Sequence, residues 1–231
     1  MAPKISIIIP ILNEAAVITQ TLFALQPLRA RGHEVIVVDG GSEDASLMHS
    51  QSLADQVIQG PRGRSRQMNA GASFAKGEIL LFLHADTFLP EGADHLIISK
   101  MNQNKRIWGH FDVRLSGKNP LVRIIEYLMN WRSRLTGIAT GDQGIFVTRG
   151  TFQSIGGFPA IDLMEDITLS KTLKKHGHPL CLRQRVIASS RRWEKNGIFR
   201  TVLLMWYLRL AYFLGADPQY LARLYGRSKP S

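Results

Sequence analysis

The sequence predicts an α/β fold, a doubly wound and mostly parallel sheet with helices on both faces, followed by a C-terminal helical lobe. Two observations carry this expectation. Through the first half, short continuous Ile/Val/Leu runs alternate with helix-period segments, and strands without polar alternation belong to parallel sheets covered on both faces. From about Arg106 the pattern shifts to alternating strands and longer helices with apolar stripes. With 231 residues, 45% of them hydrophobic, the chain can bury one sizeable core.

Ile5–Ile9 (ISIII) reads as the first strand. A helix follows from about Asn13 to Arg31, with Asn13 as N-cap and Ile18, Leu22 and Leu25 at helical spacing. Glu34–Val38 is the second strand, after which Ser42 is expected to cap an acidic first turn at Glu43-Asp44. Asp55–Ile58 is a short third strand, Ser65–Lys76 an Ala-rich helix ending at Gly77, and Ile79–Leu83 a fourth strand. Arg106–Leu115 alternates as a half-exposed strand and Gly144–Thr148 as another. Leu121–Leu135 and Ile198–Leu214 are helices with apolar stripes flanked by arginines, and the tail from Arg227 is expected to fray. No repeat or low-complexity linker separates the parts, so residues 118–231 are expected to be a lobe of the same domain as residues 1–117.

Composition narrows the classes. The only cysteine, Cys181, excludes an internal disulfide and fits a reducing compartment, so a cytoplasmic location is expected. The opening MAPKISIIIP has too short an apolar run to predict a secretory signal, and no run of apolar residues is long enough to predict a spanning helix. The net charge of +11 is uneven. Residues 1–117 carry 11 basic and 11 acidic side chains, whereas residues 118–231 carry 18 and 7. A basic half attracts nucleic acid, anionic lipid or a phosphorylated substrate alike. No nucleic-acid recognition motif is present, so no specific nucleic acid is expected. The aromatic-rich helices, with Trp131, Trp206, Tyr207 and Phe213, either rest on an anionic membrane at its inner face or pack on the sheet.

In an open α/β sheet, ligands bind beyond the carboxyl ends of the strands. Those ends are polar here: Pro10, Asn13 and Glu14 after the first strand, Asp39 with Gly40-Gly41-Ser42 after the second, and His84 and Asp86 after the fourth. Singly these are turn and capping residues; together they suit a nucleotide and a divalent cation. Gly60–Ser73 places Arg62, Arg64 and Arg66 at a helix start, where guanidinium groups and N–H groups can hold a diphosphate. Glu165 and Asp166 open another helix, and acids there complement the helix dipole more often than they act as a general base. Asp142, in TGDQG, either orients an acceptor or forms a turn. Neither G-x-G-x-x-G nor G-x-x-x-x-G-K-[ST] occurs.

The stretches SIIIPILNEA, VIVVDGGSEDAS, RQMNAGASFAKGEILLFLHADT, GIFVTRGTFQSIGGFP and LMEDITLSKTLKKHG, spread over roughly residues 4–177, resemble the family 2 glycosyltransferases. Within them the sequence looks most like a small bacterial subgroup described as selenodomain-associated. The resemblance implies a GT-A fold and transfer of a sugar, usually with inversion, from a nucleotide-diphosphate sugar to an acceptor hydroxyl or phosphate, lipid-linked or not, whose identity the sequence does not give. It implies a nucleotide-sugar half at 1–117 and an acceptor-side lobe at 118–231. Pro10, Asn13, Glu14 and Asp39 would line the base and ribose pocket, and Asn69 and Gly71 would lie beside the nucleotide; Gly41, in the turn after the second strand, and Arg66, at the basic helix start, are further substrate-binding candidates. Asp86 would bind Mn2+ or Mg2+, and Asp166, with Glu165 beside it, would be the catalytic base.

Two departures accompany it. The first aspartate of the family's Asp-x-Asp is His84 here, so the site has one carboxylate fewer than a two-aspartate site. Arg192 and Trp193 match part of a Gln-x-x-Arg-Trp element whose glutamine is Ser189 here, which counts against processive polymerisation. A sugar-phosphate nucleotidyltransferase is the competing enzyme class. It would carry a Gly-rich basic loop where this chain has Pro10-Ile11-Leu12-Asn13-Glu14.

Overall fold

The computed structural model describes residues 4–117 and 119–227, so most of the tail expected to fray lies outside the described residues. In chain order the elements are β1 (Ile5–Ile11), α1 (Ala15–Ala30), β2 (Glu34–Asp39), α2 (Ser46–Gln51), β3 (Gln56–Gln59), α3 (Arg64–Phe74), β4 (Ile79–Phe82), β5 (Thr87–Phe88), α4 (Ala93–Asn104) and β6 (Trp108–Leu115). Then come α5 (Pro120–Thr136), a 3-10 turn (Gly141–Gln143), β7 (Ile145–Thr148), α6 (Arg149–Ser154), α7 (Glu165–His176), β8 (Leu180–Ala188), α8 (Arg191–Asn196), α9 (Ile198–Phe213) and α10 (Pro218–Arg227).

The strands form one sheet in the order β3-β2-β1-β4-β7-β6-β8-β5. β1, β2, β3 and β4 are parallel, with Ile7 beside Val35 and beside Leu81. β7 enters antiparallel between β4 and β6, placing Ile145 opposite Phe82. β8 runs parallel to β6, and β5 closes the edge antiparallel to β8. Because β7 is reversed, its start lies level with the end of β4 and points to the same side of the sheet as the end of β8. One rim therefore gathers residues 10–14, 39–42, 84–86, 140–144 and 189–191.

Alternation along the strands builds two apolar layers. Ile5, Ile7 and Ile9 face α1 and α5, whereas Ile8, Ile36 and Val38 face α3 and α7. α3 approaches closely because residue 71 is glycine: a Cβ there would meet Ile8 Cγ2 at 2.5 Å and Val38 Cγ2 at 2.9 Å. A third apolar cluster joins Met164 and Ile167 to Leu208 and Leu221, docking α9 and α10 on the start of α7. Thr168 Oγ1 and Tyr212 Oη, 2.6 Å apart, tie α7 to α9.

Three local expectations are corrected. β6 is buried on both faces except at Arg114, because its polar residues are satisfied inside. Asp112 pairs with Arg134, and the Asn130 side chain bonds both backbone groups of Val113. Burial pushes His110 down to about 4, leaving it a neutral core imidazole. Asn13 does not cap α1. It adopts φ +55°, and its Oδ1 accepts from Glu43 N at 2.9 Å, stitching the β1 loop to the β2 loop. Ser42 does not cap α2 either, since that helix starts at Ser46 and Asp44 Oδ1 accepts from Ser46 N at 2.9 Å.

Candidate active site

The gathered rim opens into a cleft of about 960 Å³. Its floor comes from Pro10, Glu14 and His84–Asp86 at the ends of β1 and β4. The 3-10 turn with Asp142, the start of α7 with Glu165 and Asp166, and Arg191 after β8 form its walls, and α5 and α9 close the far side.

Glu14 and Asp86 share one guanidinium. Arg191 Nη2 lies 3.5 Å from Glu14 Oε2 and 3.4 Å from Asp86 Oδ2, and each carboxylate is about one-third exposed, 33% and 31%. Burial, then the charge of Asp86, pushes the Glu14 carboxyl up, against the pull of Arg191. Two acids drawn toward one cation leave the corner with one acid in excess.

His84 turns away from that corner. Its Nδ1 lies 3.1 Å from Asp142 Oδ1, and its ring rests on Gly141, where a Cβ would come within 2.6 Å of Cε1. Burial would raise the Asp142 carboxyl, but the His84 hydrogen bond, with Arg64 and Arg209 nearby, holds it below the usual range. Asp166 is fixed by two backbone donors, Gly141 N to Oδ2 at 2.8 Å and Ile167 N to Oδ1 at 2.7 Å. Met164, in the left-handed region at φ +69°, starts the helix so that residue 166 faces the turn before β7. Glu165 is buried beside Arg64, Nη1 to Oε1 at 3.8 Å, and burial followed by the Asp166 charge pushes its carboxyl up.

The structure thus brings Pro10, Glu14, His84, Asp86, Asp142, Glu165, Asp166 and Trp193 to one cleft. Other expected site residues are absent from its lining. Asn13 is committed to the neighbouring loop, and Asp39 to its own, where it accepts from the N–H groups of Gly41 and Ser42. Gly41, at φ +90°, serves that turn. Asn69 clamps the backbone of Phe158 through both side-chain atoms, and Gly71 packs on the sheet. Arg66 bonds Arg62 O and pairs with Asp162, while Arg64 faces the cleft, because residues two apart on a helix point to opposite sides. Likewise Arg191 engages Asp86; the Arg192 side chain lies outside the described residues. Arg132 and Arg209 also line the cleft. The sequence signal for them was only that arginines flank the apolar stripes of α5 and α9.

No three His, Cys, Asp or Glu side chains converge on a metal-sized point among the described residues. Mg2+ and Mn2+ are commonly held by one or two carboxylates plus substrate phosphate oxygens. Asp86 and Glu14, open to the cleft and mutually repelling, fit that demand; His84, committed to Asp142 and Gly141, does not.

The chain resembles solved structures across most of its length. It matches S. aureus TarS 1-349 in complex with UDP-GlcNAc at a TM-score of 0.67 and 18% identity, covering 80% of this chain and 58% of that one. It matches the Pyrobaculum calidifontis mannosyltransferase PcManGT, in complex with GDP-Man and Mn2+, at 0.64 and 21%, covering 95% and 67%. These likenesses establish the GT-A glycosyltransferase fold. The probable glycosyltransferase YdaM of Bacillus subtilis is 28% identical over 219 residues, 84% of this chain and 51% of YdaM. The chain spans about half or less of the curated relatives it matches. The sequence profile of glycosyl transferase family 2 matches residues 6–156, more than half of the chain and every strand from β1 to β7. The chain belongs to glycosyl transferase family 2.

Proposed function

We propose that this chain is an inverting, metal-dependent glycosyltransferase moving a sugar from a nucleotide-diphosphate sugar to an acceptor oxygen. Residues 1–117 supply the donor half and residues 118–231 the acceptor side. The observation that carries this reading is the placement of Asp166, oriented by two backbone N–H groups, in the same cleft as the Asp86–Arg191–Glu14 corner.

The reaction is one displacement. An acceptor hydroxyl oxygen forms the new bond to the anomeric carbon while the bond to the diphosphate oxygen breaks, and that electron pair leaves with the diphosphate. Asp166 takes the hydroxyl proton. Gly141 N and Ile167 N hold its carboxylate still, so the base meets the acceptor from one direction. Asp86 and Glu14 would hold the divalent ion, which when bound neutralises the departing diphosphate. Arg191 and Arg64 offer guanidinium donors to the same charge. Glu165 is held beside the base by Arg64. His84 orients Asp142 toward the acceptor. GDP-Man and Mn2+ in PcManGT, and UDP-GlcNAc in TarS, support a nucleotide-sugar donor and Mn2+; Mg2+ is the alternative ion.

No described helix is long and apolar enough to cross a membrane. α5 and α9 nonetheless expose Trp131, Leu135, Trp206 and Phe213 within the basic half. That combination supports peripheral contact with an anionic membrane at its cytoplasmic face, giving access to a lipid-linked acceptor. Flotation at low salt with anionic liposomes tests it, and absence of binding ends it.

A panel of nucleotide sugars, screened by thermal shift and donor hydrolysis with and without Mn2+, tests the main reading. A donor present at 100 times its Kd stabilises by about 2.7 kcal/mol. At least one donor should raise the midpoint in the presence of metal; a panel without any binder overturns the proposal.

A further inference from the structure

Two guanidinium groups in the cleft carry buried donors that nothing among the described residues answers. Arg132 Nε and Nη2 and Arg209 Nε are buried without a hydrogen-bond acceptor among the described residues. Other charges in this part of the fold are matched: Asp112 by Arg134, Glu126 by Arg123 and Glu165 by Arg64. The two carboxylates whose charges act on the pair are engaged elsewhere, Asp142 with His84 and Asp166 with two backbone N–H groups. Burial and the charge of Arg209 together push Arg132 down to about 10, as expected for two cations held near one another. Removing charged donors from water without an acceptor costs stability, so the fold holds open a place for an anion.

Position says which anion. The negative corner of Glu14 and Asp86 and the guanidinium of Arg191 lie at the ends of β1, β4 and β8, where the donor diphosphate is proposed to sit. Arg132 and Arg209 stand instead on α5 and α9, in the basic half, next to exposed Trp131 and Leu210. A guanidinium presents its N–H groups as a planar fork that matches phosphate oxygens two at a time. We infer that Arg132 and Arg209 form an anion subsite that binds the phosphate group of a phosphate-bearing acceptor. This rests on the glycosyltransferase reading of the cleft and names the substrate class that reading leaves open.

The test uses the full chain as wild type, Arg132→Gln, Arg209→Gln and Arg209→Lys. Each protein is titrated with glycerol 1-phosphate and, separately, with UDP or GDP plus Mn2+. Each is also floated with phosphatidylcholine vesicles doped with phosphatidic acid or with phosphatidylglycerol. Wild type binds at least one phosphate monoester, and each Gln variant weakens that binding about 10- to 100-fold. Arg209→Lys, which keeps the charge but loses the fork, falls between. Nucleotide affinity holds, and the thermal midpoint holds or rises because an unanswered charge has gone. Preference for phosphatidic acid over phosphatidylglycerol assigns a lipid phosphate, and binding of glycerol 1-phosphate alone assigns a soluble one. Equal monoester affinity in wild type and variants, or no monoester binding by wild type, overturns the subsite. So does a parallel loss of nucleotide affinity, which would assign both arginines to the donor. If wild type hydrolyses a donor yet ignores monoesters, only the subsite fails; if it binds no nucleotide, the glycosyltransferase reading fails with it.

Discussion

Replacing Asp166 with asparagine removes the proposed base while changing the site by little more than one protonatable oxygen. The carboxylate accepts from Gly141 N at 2.8 Å and Ile167 N at 2.7 Å. An amide has one acceptor oxygen, so one of these donors would face an NH2 group. Losing a hydrogen bond to a charged acceptor costs about 1.5–3 kcal/mol of local stability, which a domain with an ordinary margin survives. The catalytic loss is separate. General-base catalysis contributes about 10²- to 10⁴-fold, or roughly 2.7–5.5 kcal/mol of barrier. Asp166→Asn should therefore lower kcat by that factor with the accepted donor, while calorimetry shows the donor diphosphate binding with nearly wild-type Kd. Asp166→Glu restores the carboxylate but moves it by one methylene, and a misplacement of about 1 Å is enough to cost roughly 100-fold. Turnover by Asp166→Asn within about tenfold of wild type would remove Asp166 from the chemistry. Loss of nucleotide binding in parallel would make it a binding residue instead.

Three further perturbations probe other parts of the molecule. His84→Asp gives up the Asp142 contact and adds a third carboxylate near Glu14 and Asp86, so Mn2+ should bind more tightly in the presence of the accepted nucleotide; metal titration showing unchanged affinity and preference would reject this. Gly71→Ala drives a methyl into Ile8 and Val38 and should cost about 1–3 kcal/mol in urea unfolding, whereas an unchanged midpoint would mean α3 can lift off the sheet freely. Asp94 is buried, which alone would raise its carboxyl, but Arg31 at 2.6 Å and His33 at 3.0 Å hold it at about 2. A depressed acid stabilises the fold above its unfolded value near 3.8 and loses that contribution as pH falls toward 2, at most about 2.5 kcal/mol. Wild type should lose stability across that window, and Asp94→Asn should show a flatter acid limb and a lower midpoint at pH 7.

The parallel half of the sheet was legible because β1, β2 and β4 are short Ile/Val/Leu-rich runs, ISIII, EVIVV and ILLFL, bounded by polar residues and too short for helices. β6 looks half-exposed in the sequence because His110 and Asp112 resemble solvent positions. Only the fold supplies Arg134 and the Asn130 side chain, from α5, that make a buried polar strand stable. β8 has Arg183, Gln184 and Arg185 in its middle and only scattered apolar residues. It lacks any strong strand period and takes its place through pairing with β6. In the site, Glu14, Asp86 and Asp166 were legible as carboxylates at strand and helix ends. Which arginines face them was not. Arg64 against Arg66 is decided by the rotation of a helix whose first residue the sequence does not fix, and so is the turn of Arg191 toward Asp86. Arg132 and Arg209 reach one cleft only because Leu208 and Tyr212 dock α9 on α7, a contact between residues far apart in the chain.

The central claim is a single displacement in this cleft, with Asp166 delivering the acceptor oxygen to the face opposite the diphosphate. The most direct measurement is time-resolved NMR of the first product formed from an accepted α-linked nucleotide sugar, before its anomers can interconvert. Inversion predicts that the β-anomer appears first and that Asp166→Asn slows its appearance. An α-anomer as first product would contradict it.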